Sequence, residues 1–173
     1  RRVDQLALFE IVFRSFAAVT EKDQDGEIGT VWNEFVREPK LFKLVPSLSK
    51  QAQSTDAATQ ELAYASLVFV SEATPAPKEA RDAAMRIVER AWSSPETAVS
   101  LLRAIGRSKQ ESQILQIQQQ VKSTNPEVQR AAQYAVTRLE LDKEPPIDPK
   151  RPLIATLKFE DVVQSTESLK GDA

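Results

Sequence analysis

The sharpest local motif in the chain is Glu21-Lys22-Asp23-Gln24-Asp25-Gly26-Glu27-Ile28, set between two Phe-bearing stretches. A twelve-residue calcium loop between helices needs oxygen ligands at positions 1, 3 and 5, glycine at 6, an aliphatic residue at 8 and a bidentate Glu at 12. Glu21, Asp23, Asp25, Gly26 and Ile28 meet that spacing. Trp32 stands at the twelfth place, and Glu34 comes two residues too late. Ligand number and charge set calcium affinity, so the loop 21–32 is expected to be a solvated acidic turn that holds no calcium under ordinary conditions.

A second set is basic. Arg103, Arg107, Lys109, Arg130 and Arg138 could line one edge of a helical array, as in solenoids that bind nucleic acid. Against this stand the acidic neighbours Glu96, Glu111, Glu127 and Glu140 and a formal charge of −2 for the whole chain. No aromatic residues interleave to stack bases. The expectation is solvated faces and no nucleic-acid partner. Trp32, Trp92, Tyr64 and Tyr134 read as packing residues. Gln110, Gln113, Gln116 and the run 118–120 read as a polar helix face, because Ile114, Ile117 and Val121 keep helical period.

The absences exclude most chemistry. The 173 residues contain no Cys and no His, which removes thiol nucleophiles, imidazole bases, covalent haem attachment and the usual zinc and copper sites. Glycine occurs only at 26, 29, 106 and 171, so there is no phosphate-cradling loop and no dinucleotide fingerprint. No pair of carboxylates stands out for acid–base work. Catalytic, cofactor and metal sites are therefore assigned to no residue, and the chain is read as no enzyme. No apolar run approaches the ~20 residues that span a bilayer. The opening Arg1-Arg2-Val3, without Met, reads as a piece of a longer protein.

The elements that would position these residues are helices. Leu6, Phe9, Phe13, Phe16 and Ala17 recur at helical spacing within 4–20. Val31, Trp32, Phe35 and Val36 precede Leu41, Phe42, Leu44 and Val45, with Pro39 and Pro46 cutting the stretch into short pieces. Asp56 caps a helix with Ala58, Leu62, Ala65 and Phe69 on one face, stopped by Thr74-Pro75-Ala76-Pro77. The next turns Ala80, Ala84, Ile87 and Ala91 inward and Arg81, Arg86, Glu89 and Arg90 outward. Ser94-Pro95 opens a helix with Ala98, Leu101, Leu102 and Ile105, and Gly106 marks the approach to its end. Asn125-Pro126 opens the last, with Val128, Ala131, Ala132, Ala135 and Leu139 inward.

Two of these helices share a phrase. Ser94-Pro95-Glu96 and Asn125-Pro126-Glu127 lie 31 positions apart, and so do Ala104-Ile105-Gly106-Arg107 and Ala135-Val136-Thr137-Arg138. A third segment, Gln60-Glu61-Leu62-Ala63-Tyr64-Ala65, echoes Arg130-Ala131-Ala132-Gln133-Tyr134-Ala135. The stretch from Asn125 to Val136 resembles the second-helix pattern of the HEAT-repeat family, Asp-Pro-x-Val-Arg-x-Ala-Ala-x-x-Ala-Leu. Gln129 stands where that family has Arg, and Val136 where it has Leu. The apolar periodicity predicts an all-α domain of about seven helices over 1–141, and the resemblance, which covers one helix well and 56–141 more loosely, implies a short α-solenoid acting as a non-catalytic scaffold or spacer that makes protein contacts.

After Leu141 the character changes. Pro145, Pro146, Pro149 and Pro152 predict a stiff extended linker, so 142–173 is expected to be a connector to a downstream domain. The segment 153–163 reads equally as strand, short helix or a strip lying on the array. The Pro-rich linker, the segment 153–163 and the ending Leu169-Lys170-Gly171-Asp172-Ala173 together resemble the entry to a class I cytochrome c domain, which implies that the scaffold presents a haem-binding c-type cytochrome domain within a bacterial, periplasmic or extracytoplasmic multidomain protein. Two other readings stand beside the scaffold: a free-standing protein-binding adaptor, and a module modulated by calcium through the EF-hand-like loop 21–32.

Overall fold

The computed structural model describes residues 34–141, together with Ile11 and residues 13–15. The acidic loop 21–32, the prolines of the tail and the segments 153–163 and 169–173 lie outside the described residues. Every regular element among the described residues is helical, with no strand. A 3-10 helix, Pro39–Leu44, is followed by α1 (Val45–Gln51), α2 (Ala57–Glu72), α3 (Lys78–Ala91), α4 (Pro95–Ser108), α5 (Ile114–Gln120) and α6 (Pro126–Arg138). Residues 11, 13–15 and 34–36 are also helical. Phe13 is fully buried and meets Phe35 edge-on, with ring centroids 6.1 Å apart.

The even-numbered helices begin alike. Asp56, Ser94 and Asn125 each hold an extended backbone just before the first turn. Each side chain accepts the N–H three residues on: Thr59 at 2.8 Å, Thr97 at 3.4 Å and Val128 at 3.2 Å. One orphan donor at the start of each of these three helices is thereby satisfied. Pro95 and Pro126 then occupy the first helical position, where a missing N–H costs nothing.

A side chain in the first turn also reaches back to the helix before it. Gln60 Nε2 donates to the Ala52 carbonyl at 3.0 Å, and Gln129 Nε2 donates to the Val121 carbonyl at 3.2 Å, each spanning eight residues. In the middle pair the Thr97 hydroxyl donates to the Ala91 carbonyl at 2.7 Å. All three acceptors sit at a helix C-terminus, where carbonyls lack an intrahelical partner. The pairs α1–α2, α3–α4 and α5–α6 are thus each tied by a side chain to a helix-end carbonyl, a glutamine amide in the outer pairs and a threonine hydroxyl in the middle one, while α3 packs chiefly on α2.

Two of the even helices also end alike. Gly106, expected near a cap, is an ordinary helical residue inside α4, and the left-handed position falls to Lys109 at φ 49°. Gln110 N–H returns to the Ile105 carbonyl at 3.3 Å, and Lys109 N–H to that of Gly106 at 3.4 Å. At the end of α6, Glu140 takes φ 58°, while Leu141 N–H bonds the Val136 carbonyl and Glu140 N–H that of Thr137. This is the same doubly bonded helix stop, again 31 positions on. Gly106 serves packing instead. A Cβ there would lie 3.0 Å from the Cα of Ala135, so only glycine lets α4 approach the α6 backbone this closely.

Burial sets the order of the helices. α2 is enclosed on nearly every side, with residues 62–68 all buried against α1, α3, α4 and the 3-10 helix. The expectation of a single apolar face was therefore too narrow, and Phe69 is only half-buried. The hydroxyls that this burial traps turn back on their own helix: Ser66 donates to the Leu62 carbonyl and Ser71 to that of Val68. α4 packs against both α2 and α6 through Leu101, Leu102, Ala104 and Ile105, which are fully buried. α3 buries Ala84, Val88 and Ala91, with Ala80 and Ile87 at its margin. Arg37 reaches the end of α4, donating to the Ser108 carbonyl at 2.6 Å, where a cation favours the helix dipole.

Candidate functional site

Two side-chain links fix how α2 meets α4. Near the start of both helices, the Ser100 hydroxyl donates to Gln60 Oε1. Further along both, the amide of Gln110, just past the end of α4, donates to the Ala65 carbonyl at 2.9 Å and to Ser108 Oγ at 2.7 Å. The partners follow in the same order along the two segments, so α2 and α4 run parallel. The close contact of Gly106 with Tyr134 and Ala135 joins the C-terminal halves of α4 and α6.

A groove of about 510 Å³ crosses these three helices. Ala57 and Ala58 of α2 and Ala131 of α6 contribute small side chains, which leave its floor open. Arg103 and Arg107 come from α4 and Arg130 from α6. Glu61 of α2 is the one carboxylate among the lining residues, and Tyr134 forms part of the wall. The Glu61 carboxylate stands 3.8 Å from Nη1 of Arg107 and 3.9 Å from Nη1 of Arg103. Two guanidiniums thus share one carboxylate across the α2–α4 seam. Arg107 is buried, at 5 % exposure, while Arg103 and Arg130 are exposed. A desolvated guanidinium beside exposed ones, facing a single carboxylate, makes a locally positive hollow in a chain of negative net charge.

The structure brings together three members of the basic set and parts them from two. Arg103, Arg107 and Arg130 meet in the groove, whereas Lys109 and Arg138 do not line it. Arg107 is no solvated surface charge. Glu61 was missed as its counter-ion, although Glu61 belongs to the segment that echoes the last helix. Glu96, Glu111, Glu127 and Glu140 are all exposed and none lines the groove. Gln110 also departs from its expected place on a polar face: it is buried and ties the end of α4 to α2.

Elsewhere the polar chemistry is structural. Hydrogen bonds from Thr59 hold the Asp56 carboxyl below its ordinary range. Partial burial pushes the Glu72 carboxyl up, opposed by the nearby Ser112 hydroxyl. Burial likewise raises the Tyr64 phenol. Among the described residues there is no group of three or more acidic side chains placed to hold a metal ion, and no helix long and apolar enough to cross a membrane. No family model, curated protein or solved structure matches the chain.

Proposed function

We propose that this chain is a non-catalytic helical-repeat scaffold of the HEAT type, whose successive hairpins hold a contact surface for protein at fixed spacing. The observation that carries the reading is the recurrence of one construction plan. Three hairpins share an N-capping residue and a side-chain tether to the preceding helix, and two share the same helix stop. Such units stack by neighbour contacts alone, and α4, packed against both α2 and α6, has the place of a middle unit. Its work is positional: it sets the distance between what lies at either end and offers a face built from several hairpins.

The plan can be tested by adding a unit. A second copy of residues 110–140 is inserted after Glu140, which reproduces the natural junction between Lys109 and Gln110. The chain has no cysteine, so labels at engineered cysteines replacing Arg86 and the final copy of Lys122 are specific. The expected outcome is a folded protein with added helix, in which the labels move apart by about 10 Å, one interhelical step. Loss of cooperative folding, or no change in label distance, would remove the repeat reading.

A further inference from the structure

We infer that the groove across α2, α4 and α6 is a docking site for an acidic, extended segment of a partner protein, with its carboxylates seated between Arg103 and Arg130. The inference rests on the scaffold reading for the partner being a protein, and it adds the chemistry that the partner must carry.

Charge is the first argument. Arg103 and Arg107 of α4 and Arg130 of α6 line a hollow whose lining includes a single carboxylate, Glu61. Glu61 stands 3.9 Å from Nη1 of Arg103 and 3.8 Å from Nη1 of Arg107, so one carboxylate is shared between two guanidiniums. The groove keeps a surplus of positive charge over the Glu61 it already holds. Guanidinium groups bind carboxylates through paired, charge-assisted hydrogen bonds, which suits Asp and Glu side chains.

Shape is the second. At about 510 Å³ the groove lies within the range of ligand pockets, and its alanines keep it open where larger residues would fill it. It runs over three parallel or adjoining helices, so the exposed Arg103 and Arg130 stand on different helices with the buried Arg107 beside them. An extended chain laid across the helices meets both exposed arginines in turn.

Nucleic acid fits less well. The chain as a whole is negative, Glu61 sits inside the groove, and Tyr134 is the one aromatic residue on its wall, so neither counter-ion release along a backbone nor serial base stacking is provided for.

The test uses the full chain and fluorescently labelled ten-residue peptides at physiological salt. One peptide alternates Asp and Glu with Ser and Gly; in the other, Asn and Gln replace the acids. Competitors are inorganic phosphate and a single-stranded oligonucleotide. Arg103→Glu with Arg130→Glu reverses the exposed groove charges, and Arg86→Glu with Lys122→Glu makes the same charge change elsewhere. The expected result is binding of the acidic peptide that weakens by about tenfold or more in the groove variant and in the amide peptide, with the control variant unchanged. No binding of the acidic peptide by a folded protein, equal weakening by the two variants, or stronger binding of the oligonucleotide or phosphate would overturn it. Helix content and melting of each variant are measured alongside. A groove that fails in a protein that still accepts the inserted hairpin overturns this inference and leaves the scaffold standing.

Discussion

A methyl group on Gly106 would come to 2.9 Å from Cε1 of Tyr134, so the ring lies directly on the glycine backbone. Replacing an interior helical glycine by alanine ordinarily stabilises a helix by ~1 kcal/mol. Here the added carbon also meets the Cα of Ala135, which cannot swing aside as a side chain can. Gly106→Ala is therefore expected to destabilise by about 1–3 kcal/mol in urea unfolding, the usual range for overpacking. Adding Tyr134→Ala should recover part of that loss, because it clears one of the two contacts. Greater stability in the single variant would show that α4 and α6 are not so closely apposed.

The left-handed residues at the ends of α4 and α6 make a matched pair. Lys109 at φ 49° and Glu140 at φ 58° each bear the steric penalty that glycine avoids. Lys109→Gly and Glu140→Gly are each expected to stabilise by roughly 0.5–1 kcal/mol, by similar amounts, since both helices stop through the same two backbone bonds. Thermal melts of the two single variants and the double variant check this. A gain at one site with a loss at the other would break the equivalence.

Removing the N-caps should cost about 1 kcal/mol apiece for Asp56→Ala, Ser94→Ala and Asn125→Ala. Asp56 is the one of the three caps that itself titrates. Its folded pKa lies below the ordinary 3.8, so its charged form is favoured in the folded state. The stability that it contributes is present above the unfolded value and fades as pH falls through the lowered one. Asp56→Asn keeps a cap acceptor and is expected to flatten the acid limb of the stability curve below about pH 4. An unchanged acid limb in that variant would show that the carboxylate makes no special bond.

The two glutamine tethers should differ in strength. Gln60 is half-buried and serves both the Ala52 carbonyl and the Ser100 hydroxyl, whereas Gln129 is exposed and bonds the Val121 carbonyl. Gln60→Met is expected to cost about 1–3 kcal/mol, because it strands polar partners in a partly dry setting; Gln129→Met should cost less than ~1 kcal/mol. Chemical denaturation of both variants decides the order.

The helices themselves were legible because their signals are local. Proline after a capping residue names the start of α4 and α6, and alanine at helical spacing names the buried face of α6. What stayed hidden depends on contacts far apart in sequence. Phe69 was expected on the buried face because periodicity assigns one apolar face, while α2 is surrounded by four elements. Gly106 lies near the end of α4, as expected, but its reason for being glycine, the ring of Tyr134 and the backbone of Ala135, is visible only once α6 is in place. The same holds for the groove. Arg103 and Arg107 were noticed, but their carboxylate lies some forty positions earlier, on a helix whose adjacency no spacing rule supplies.

The uneven burial along the chain has a consequence for how the molecule opens. In α2, residues 62–68 are all buried; in α5, Ile117 is the single buried residue, and Leu115 is 71 % exposed. One aliphatic side chain anchors a helix by only about 1.5–3 kcal/mol. Amide exchange should accordingly be fastest in α5, next in α6 and slowest in α2, as fluctuations unpeel the last hairpin while the centre stays closed. Arg130 and Tyr134 leave with that hairpin, so a ligand seated against them would slow exchange at the frayed end. The end that loosens most easily is then also the end where occupancy would register.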